Sequence, residues 1–414
     1  MRRRALSFRL LLLLLWLIAA AALTPGPTQA QAAALALDLT GQALDPSGRP
    51  VAGVLVSDEH GVTLTGPDGG FHLSSQPGRV VFVAAPGGWA VTGPWWRPSE
   101  AAAREPWPVK LAPRPATPGR LWAVLSDAHL SSPAAPPCGK GHALARPELP
   151  MQAWAREAGV ITREQPGFSL VTGDLCLDAD KGSLDAARKQ MHLAAQALAM
   201  LPGPARALPG NHDVRYEASG VDESLWREVM GPARHVFNLP EMTVILLDNS
   251  ALGLTSKGKP RSVGRLPDEA LAWVKEVLAH LDPARPLVVA SHFPLFSPLA
   301  GVNPLNDRTT TQVPTLPGLA LRDTDQNAVA LLGLLAGRRV AALLSGHQHA
   351  DFRADLTVRS GRLIALGAPA FCGLYWQGDR PWGPLSFAPA YYMVTWQDGP
   401  GLPLPSARLV EVKF

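Results

Sequence analysis

Cysteine is almost absent from this 414-residue chain: Cys138, Cys176 and Cys372 are the whole complement. An odd trio excludes a disulfide-stapled scaffold. It leaves room for one bridge, for instance between Cys138 and Cys372, with Cys176 read as a small core residue after a buried strand. Charge is scarce as well. Charged residues make up 17% of the chain against 47% hydrophobic, a balance that excludes a disordered or collagen-like polymer. No internal repeat is evident, and beyond the first thirty residues no segment reads as a transmembrane helix, which needs roughly 20 apolar residues. What is plentiful is turn chemistry, with Gly 38 and Pro 41, which predicts long, turn-rich loops.

The longest uncharged apolar run, Leu10 to Leu23, follows Arg2, Arg3, Arg4 and Arg9 and precedes Thr28-Gln29-Ala30-Gln31-Ala32. A basic start, a short apolar stretch and an A-x-A-like site form the layout of a secretory signal peptide. Residues 1–32 are therefore expected to direct export, to the periplasm or the extracellular space, and to be removed. The formal charge of +4 belongs to this segment. Its loss takes four arginines and no acid, leaving a neutral chain with little pull on a polyanion. No specific nucleic-acid partner and no membrane span after cleavage are expected.

From residue 36 to 112 short β-like runs alternate with turn signals such as Asp45-Pro46-Ser47-Gly48 and Pro67-Asp68-Gly69-Gly70, predicting a small all-β sandwich. The sequence from Gly41 to Asp58, followed by Thr65 to Leu73, resembles the transthyretin-like (carboxypeptidase-regulatory-like) domains that precede catalytic domains in exported bacterial enzymes. A Pro-rich linker at 113–119 follows. Beyond it, apolar runs at 121–125, 168–171, 206–208, 243–247, 287–290 and 340–344 alternate with helical patterns at 184–201, 223–230, 269–281 (with Asp268 as its cap) and 325–336, which indicates an α/β domain.

Nearly every one of those strands runs into metal-ligand chemistry. Leu121–Leu125 leads to Asp127 and His129, and Phe168–Val171 to Asp174. The run at 206–208 leads to Asn211, His212 and Asp213, that at 287–290 to His292, and that at 340–344 to His347 and His349. Open α/β sheets bind ligands beyond the carboxyl ends of their strands. Period-two spacing lets Asp127/His129 and His347/His349 each point one way from extended backbone. Of eleven histidines, five fall in these motifs.

The order D-x-H, G-D, G-N-H-D, H, G-H-x-H resembles the calcineurin-like metallophosphoesterase superfamily over residues 120–370. The resemblance implies a β-sandwich core flanked by helices in four layers (αββα). It also implies two divalent ions, Mn, Fe, Zn or Co: Asp127, His129 and His349 would hold one, and Asn211, His292 and His347 the other. Asp174 would bridge them. A hydroxide shared by two such ions, roughly 3.5–4 Å apart, attacks phosphorus; His212 would protonate the leaving group, with Asp213 orienting it. The expected activity is hydrolysis of a phosphomonoester or phosphodiester in a small phosphorylated substrate. Asp248-Asn249, Arg215 and Arg308 are further candidates for contact with the pocket. Gly367 to Gly373 and Pro389 to Tyr392 resemble the start of the C-terminal domain carried by the exported bacterial subgroup that joins a transthyretin-like domain to this core, and residues 371–414 are expected to form an abbreviated β extension. Two alternatives differ in class: a catalytically silent metal- or phosphate-binding surface protein, which predicts a missing ligand, and a metallo-β-lactamase-like enzyme, which needs an H-x-H-x-D-H loop that is absent.

Overall fold

The structure is a computed structural model that describes residues 36–114, 120–138, 146, 148–254, 258, 260–298, 324–358, 361–377, 387–399 and 402–414. The expected signal segment, most of the linker, and Arg308 lie outside the described residues. Within them, no helix is long and apolar enough to cross a membrane.

Two sheets carry the functional loops. One has the order Ala205–Ala207, Phe168–Val171, Leu121–Leu125, Ala390–Gln397, Leu404–Glu411. Its first three strands are parallel and its last two pairings antiparallel. The other runs His235–Asn238, Thr243–Leu247, Leu287–Ser291, Val340–Ser345, Gly361–Gly367, Phe352–Val358. Its central pairings are parallel and its edges antiparallel.

Side chains alternate across a strand, and the core follows that alternation. Trp122, Val124, Phe168 and Leu170 pack in one buried cluster with Val244, Leu246, Val288 and Ala290 of the other sheet. The intervening Ala123, Leu125 and Val171 pack with Trp154, Ile161 and Met191 of the helices Leu149–Glu164 and Leu184–Ala199. On the far side Ile245, Leu247 and Val289 cluster with Trp273, Val274 and Val277 of the helix Asp268–His280. Each large apolar side chain so buried stabilises the fold by roughly 1.5–3 kcal/mol. The result is a mixed α/β fold whose parallel strands end together at one rim.

Several local expectations change. The helix Leu149–Glu164 lies outside the expected helical patterns and carries Pro150 at its second position. That proline lies in the first turn, where its missing N–H costs nothing, and Ala153, Trp154, Ala158 and Ile161 form the buried stripe. Pro267, not Asp268, is the N-cap of the third long helix; Asp268 sits in the first turn, where a carboxylate meets the positive end of the helix dipole. The expected β extension enters the core through its described strands: Ala390–Gln397 pairs with Leu121–Leu125, the central strand of its sheet, and Leu404–Glu411 pairs with Ala390–Gln397. The three cysteines are free thiols, so no Cys138–Cys372 bridge is present.

Between Leu37 and Pro113, two four-stranded sheets share a core of Leu39, Val56, Phe71, Val81, Trp107 and Val109. The sheet that contains Leu55–Ser57 and Val80–Ala84 turns its other face to the core, with Leu55, Phe82 and Ala84 in the Trp273 cluster. Buried polar bonds fix the seam. Glu59 accepts from the backbone nitrogens of Ala233 at 2.5 Å and Arg234 at 3.0 Å and pairs with Arg227 at 2.7 Å. The Trp273 indole donates to Ser57 Oγ at 2.9 Å.

Candidate metal centre

The loops leaving the two sheets are joined to one another before any side chain is considered. Asp127 N donates to Gly173 O at 3.0 Å, His129 N to Asp174 O at 2.9 Å, Gly346 N to His292 O at 3.0 Å, and Phe371 N to Ser126 O at 2.8 Å. These bonds hold an uncommon backbone. Asp127, His129, Asp174, His347 and His349 all have φ between +44° and +68°, the left-handed region that costs a non-glycine residue about 1–3 kcal/mol. Both pairs of period-two residues do converge, but from left-handed backbone and not from the extended chain that their spacing suggests. Close approach demands glycine at two neighbouring points. A Cβ on Gly210 would lie 2.5 Å from Asp174 N, and one on Gly346 2.7 Å from Asp127 Oδ2.

All seven expected ligand residues meet at this rim. His349 Nδ1 lies 2.8 Å from Gly373 O, His292 Nδ1 2.8 Å from Thr172 O, and His129 Nδ1 3.4 Å from Leu177 O. A ring that donates through Nδ1 presents Nε2 as its coordinating atom. Those Nε2 atoms point at one another and at carboxylates. His129 Nε2 is 3.2 Å from His349 Nε2, and His349 Nε2 is 3.4 Å from Asp127 Oδ1. His292 Nε2 is 3.2 Å from Asn211 Oδ1. Asp174 Oδ2 lies 3.7 Å from His129 Nε2 and 3.2 Å from His292 Nε2, between the two groups. Its Oδ1 is taken by the backbone nitrogen of His212 at 2.8 Å. Likewise Asp127 gives Oδ2 to His347 N at 2.9 Å, while Oδ1 is buried with no hydrogen-bond donor. Ligand atoms of Asp174, His292 and His347 lie within 4.8 Å of one another, as do those of His129, Asp174 and His212.

This constellation fits divalent cations. Two facing imidazole nitrogens and an undonated buried carboxylate oxygen are costly to leave together, and a cation satisfies all three. The mixed N/O set without thiolate suits a catalytic ion over a structural zinc. Electrostatics agree. Burial works against charge on Asp127, yet His349 outweighs it and holds the carboxyl near about 2. Burial also works against a charged His292, but Asp174 raises that imidazole to about 9: the carboxylate draws positive charge to this point, a proton on the ring or, in its place, a metal ion. For His129 burial wins, and its pKa falls well below the ordinary range, favouring the neutral ring that binds metal.

The residues around this set differ from expectation in instructive ways. Asp213 does not orient His212. Its carboxylate accepts from the backbone nitrogens of Cys176 at 2.7 Å, Gly210 at 2.9 Å and Leu175 at 3.2 Å, tying the Asp174 loop to the Asn211 loop; burial and Asp174 raise its pKa to about 6. The carboxylate at His212 is Asp180, with Oδ1 3.3 Å from Nδ1. Burial lowers the pKa of His212, but Asp174 and Asp180 together raise it above the usual histidine value. Arg215 spans the Asp180 loop, donating to Gly182 O at 3.2 Å and Ala179 O at 3.4 Å. Asp248 pairs with Arg234 at 3.0 Å, while Asn249 grips both backbone groups of Phe293, N at 3.0 Å and O at 2.9 Å, and so fixes the turn that carries His292. Two residues had no sequence signal. Tyr375 brings its ring to 4.9 Å from that of His129 and 5.1 Å from that of His349. Cys372 stands within ligand reach of the same two histidines, but burial raises its thiol well above the ordinary range, so it stays protonated.

A sequence model of the family described as calcineurin-like phosphoesterase matches residues 123–351, a span that contains every one of the seven ligand candidates. No curated protein matches the chain. Among solved structures, the chain is similar to a dimetal phosphatase from Danio rerio at 15% identity, covering 72% of this chain and 100% of that one with a TM-score of 0.42. It is also similar to a putative 5'-nucleotidase from Staphylococcus aureus at 13% identity, covering 70% of this chain and 54% of that one with a TM-score of 0.32.

Proposed function

The chain belongs to the calcineurin-like phosphoesterase family, and from that premise we propose that it is an exported hydrolase of a phosphomonoester or phosphodiester in a small phosphorylated substrate. The observation that carries the reading is the position of Asp174 Oδ2 between His129 Nε2 and His292 Nε2, with the Nδ1 atoms of His129, His292 and His349 turned outward to carbonyls. Asp127, His129 and His349 would hold one divalent ion, Asn211, His292 and His347 the other, and Asp174 both. When bound, such a pair neutralises phosphoryl charge and supplies a nucleophile near neutral pH.

The remaining steps belong to the chain itself. His212 holds a proton: its Nδ1 faces Asp180 at 3.3 Å, which leaves Nε2 as the atom that protonates the departing alkoxide. Asp213 keeps the two ligand loops in register. Tyr375 packs its ring beside His129, His212 and His349, on one side of the expected ion pair. Export rests on the arginines and apolar run of residues 1–32. We read the architecture as four layers, αββα, preceded by an accessory transthyretin-like sandwich over residues 36–112. Two four-stranded sheets around one core support that reading.

The test is hydrolysis of nitrophenyl phosphate and bis-nitrophenyl phosphate by the full chain with Mn. Turnover should vanish in chelator, return with metal, and fall by about 10²–10⁴ in His212→Ala. Undiminished turnover by metal-free protein would refute the proposal.

A further inference from the structure

Away from the metal centre, the seam between the N-terminal strands and the core holds a cleft of about 210 Å³. It lies beside the strand Ala205–Ala207, whose far end leads to Asn211. Its walls are apolar, among them Val83, Ala85, Val91 and Phe237, but two arginines line it as well. The Arg206 guanidinium carbon sits 4.1 Å from the Trp95 ring centroid and 4.7 Å from that of Phe237. That of Arg114 lies 5.1 Å from the same Phe237 ring.

These cations are under-satisfied. Arg206 donates through Nη1 to Ala205 O at 2.8 Å, and Arg114 through Nη2 to Trp89 O and Asn238 O at 3.2 and 3.1 Å. The Nε of each is buried without an acceptor. Among the described residues neither arginine forms an ion pair, whereas Arg227 and Arg234 of the same seam each have a carboxylate partner. Burial and the neighbouring Arg114 lower Arg206 to about 9. Two like charges beside one aromatic ring, in a cleft whose lining includes no carboxylate, repel each other, and an anion between them would relieve that repulsion.

We propose that this cleft binds a small aromatic carboxylate. The two guanidinium groups would take its oxygens through Arg206 Nη2 and Arg114 Nη1, and the apolar walls would take its ring. Size agrees, since an apolar cavity of about 150 Å³ accommodates benzene. The anion is an organic acid and not bare phosphate, because most of the lining has nothing to offer a fully hydrated ion.

The experiment uses the metal-loaded full chain with benzoate as the probe, followed by calorimetry and by the fluorescence of Trp95 and its neighbours. Benzamide, of the same shape without charge, and inorganic phosphate, charged without the ring, serve as controls. Benzoate should bind saturably with one site per chain, and benzamide should bind at least tenfold more weakly, the loss expected for a charge-assisted hydrogen bond. Arg206→Gln should weaken benzoate by a similar factor. Ala90→Phe, which fills the cleft and keeps both arginines, should abolish binding while leaving phosphoester hydrolysis intact. Phosphate should bind Ala90→Phe as it binds the parent, at the metal centre. Benzoate that fails to saturate at millimolar concentration, or that binds Ala90→Phe as well as the parent chain, overturns the proposal.

Discussion

Replacing Asp180 by Asn tests the proton-holding role of His212 with little change in shape. The carboxylate lies 3.3 Å from His212 Nδ1, and the two side chains are 16% and 12% exposed. A unit charge at that distance is worth about 5 kcal/mol at an effective dielectric of about 20 and about 1.3 kcal/mol in bulk water. The pair sits between these limits, and Asn keeps an acceptor oxygen, so the expected loss is about 1.4–2.7 kcal/mol. That equals a fall of about one to two pKa units at His212. The sign is fixed by the role. A general acid works while protonated, so turnover declines as pH rises through the pKa of His212, and Asp180 helps hold that pKa up. In Asp180→Asn the alkaline limb of the kcat profile should move down by about one to two units, with the plateau lowered less than about tenfold. Stopped assays of nitrophenyl phosphate across pH 5–10 read both quantities. An alkaline limb that stays in place would refute the assignment of Asp180, and a limb that persists unchanged in His212→Ala would refute that of His212.

Other substitutions probe the scaffold. Asn249→Ala releases both backbone groups of Phe293 next to His292; metal affinity, measured by chelator competition, should fall about 10–100-fold with the fold intact. Asp58 is buried and accepts from Arg79 Nη1 and Ser75 Oγ, each at 2.7 Å. Burial raises its pKa, but these bonds prevail and depress it. Its contribution is therefore present above the unfolded carboxyl pKa of about 3.9 and is lost as pH falls below it. Asp58→Asn should cost about 1.5–3 kcal/mol in denaturant unfolding at pH 7, and the gap from the parent should narrow below about pH 4.

Much of the site was legible because its ligands lie where short, apolar strands end, and strand positions are marked by local composition. The strands Leu121–Leu125, Phe168–Val171 and Thr243–Leu247 fall where their apolar runs predict, and each motif follows its strand directly. What was hidden depends on contacts between distant residues. The C-terminal strand Ala390–Gln397 enters beside Leu121–Leu125, and no local pattern records that pairing. The same return of the chain brings Tyr375 against His129, with the Trp376 indole donating to His129 O at 3.0 Å. Asp213 misled because adjacency in sequence suggested a partner for His212, whereas the turn aims its carboxylate at Gly210, Leu175 and Cys176. Asp180 takes that place from a loop held by Arg215. The left-handed backbone at five ligands was also unreadable, since Asp and His carry no marker for it of the kind glycine does.

The central claim is that one carboxylate joins two cation sites, and the direct measurement is the number of divalent ions each chain binds. Titration of chelated protein with Mn, with elemental analysis of the loaded product, should give two ions per chain for the parent. Asp174→Asn should retain no more than one tightly bound ion and lose turnover by orders of magnitude. A parent that saturates at one ion while fully active, or an Asp174→Asn chain that still holds two, would contradict the account.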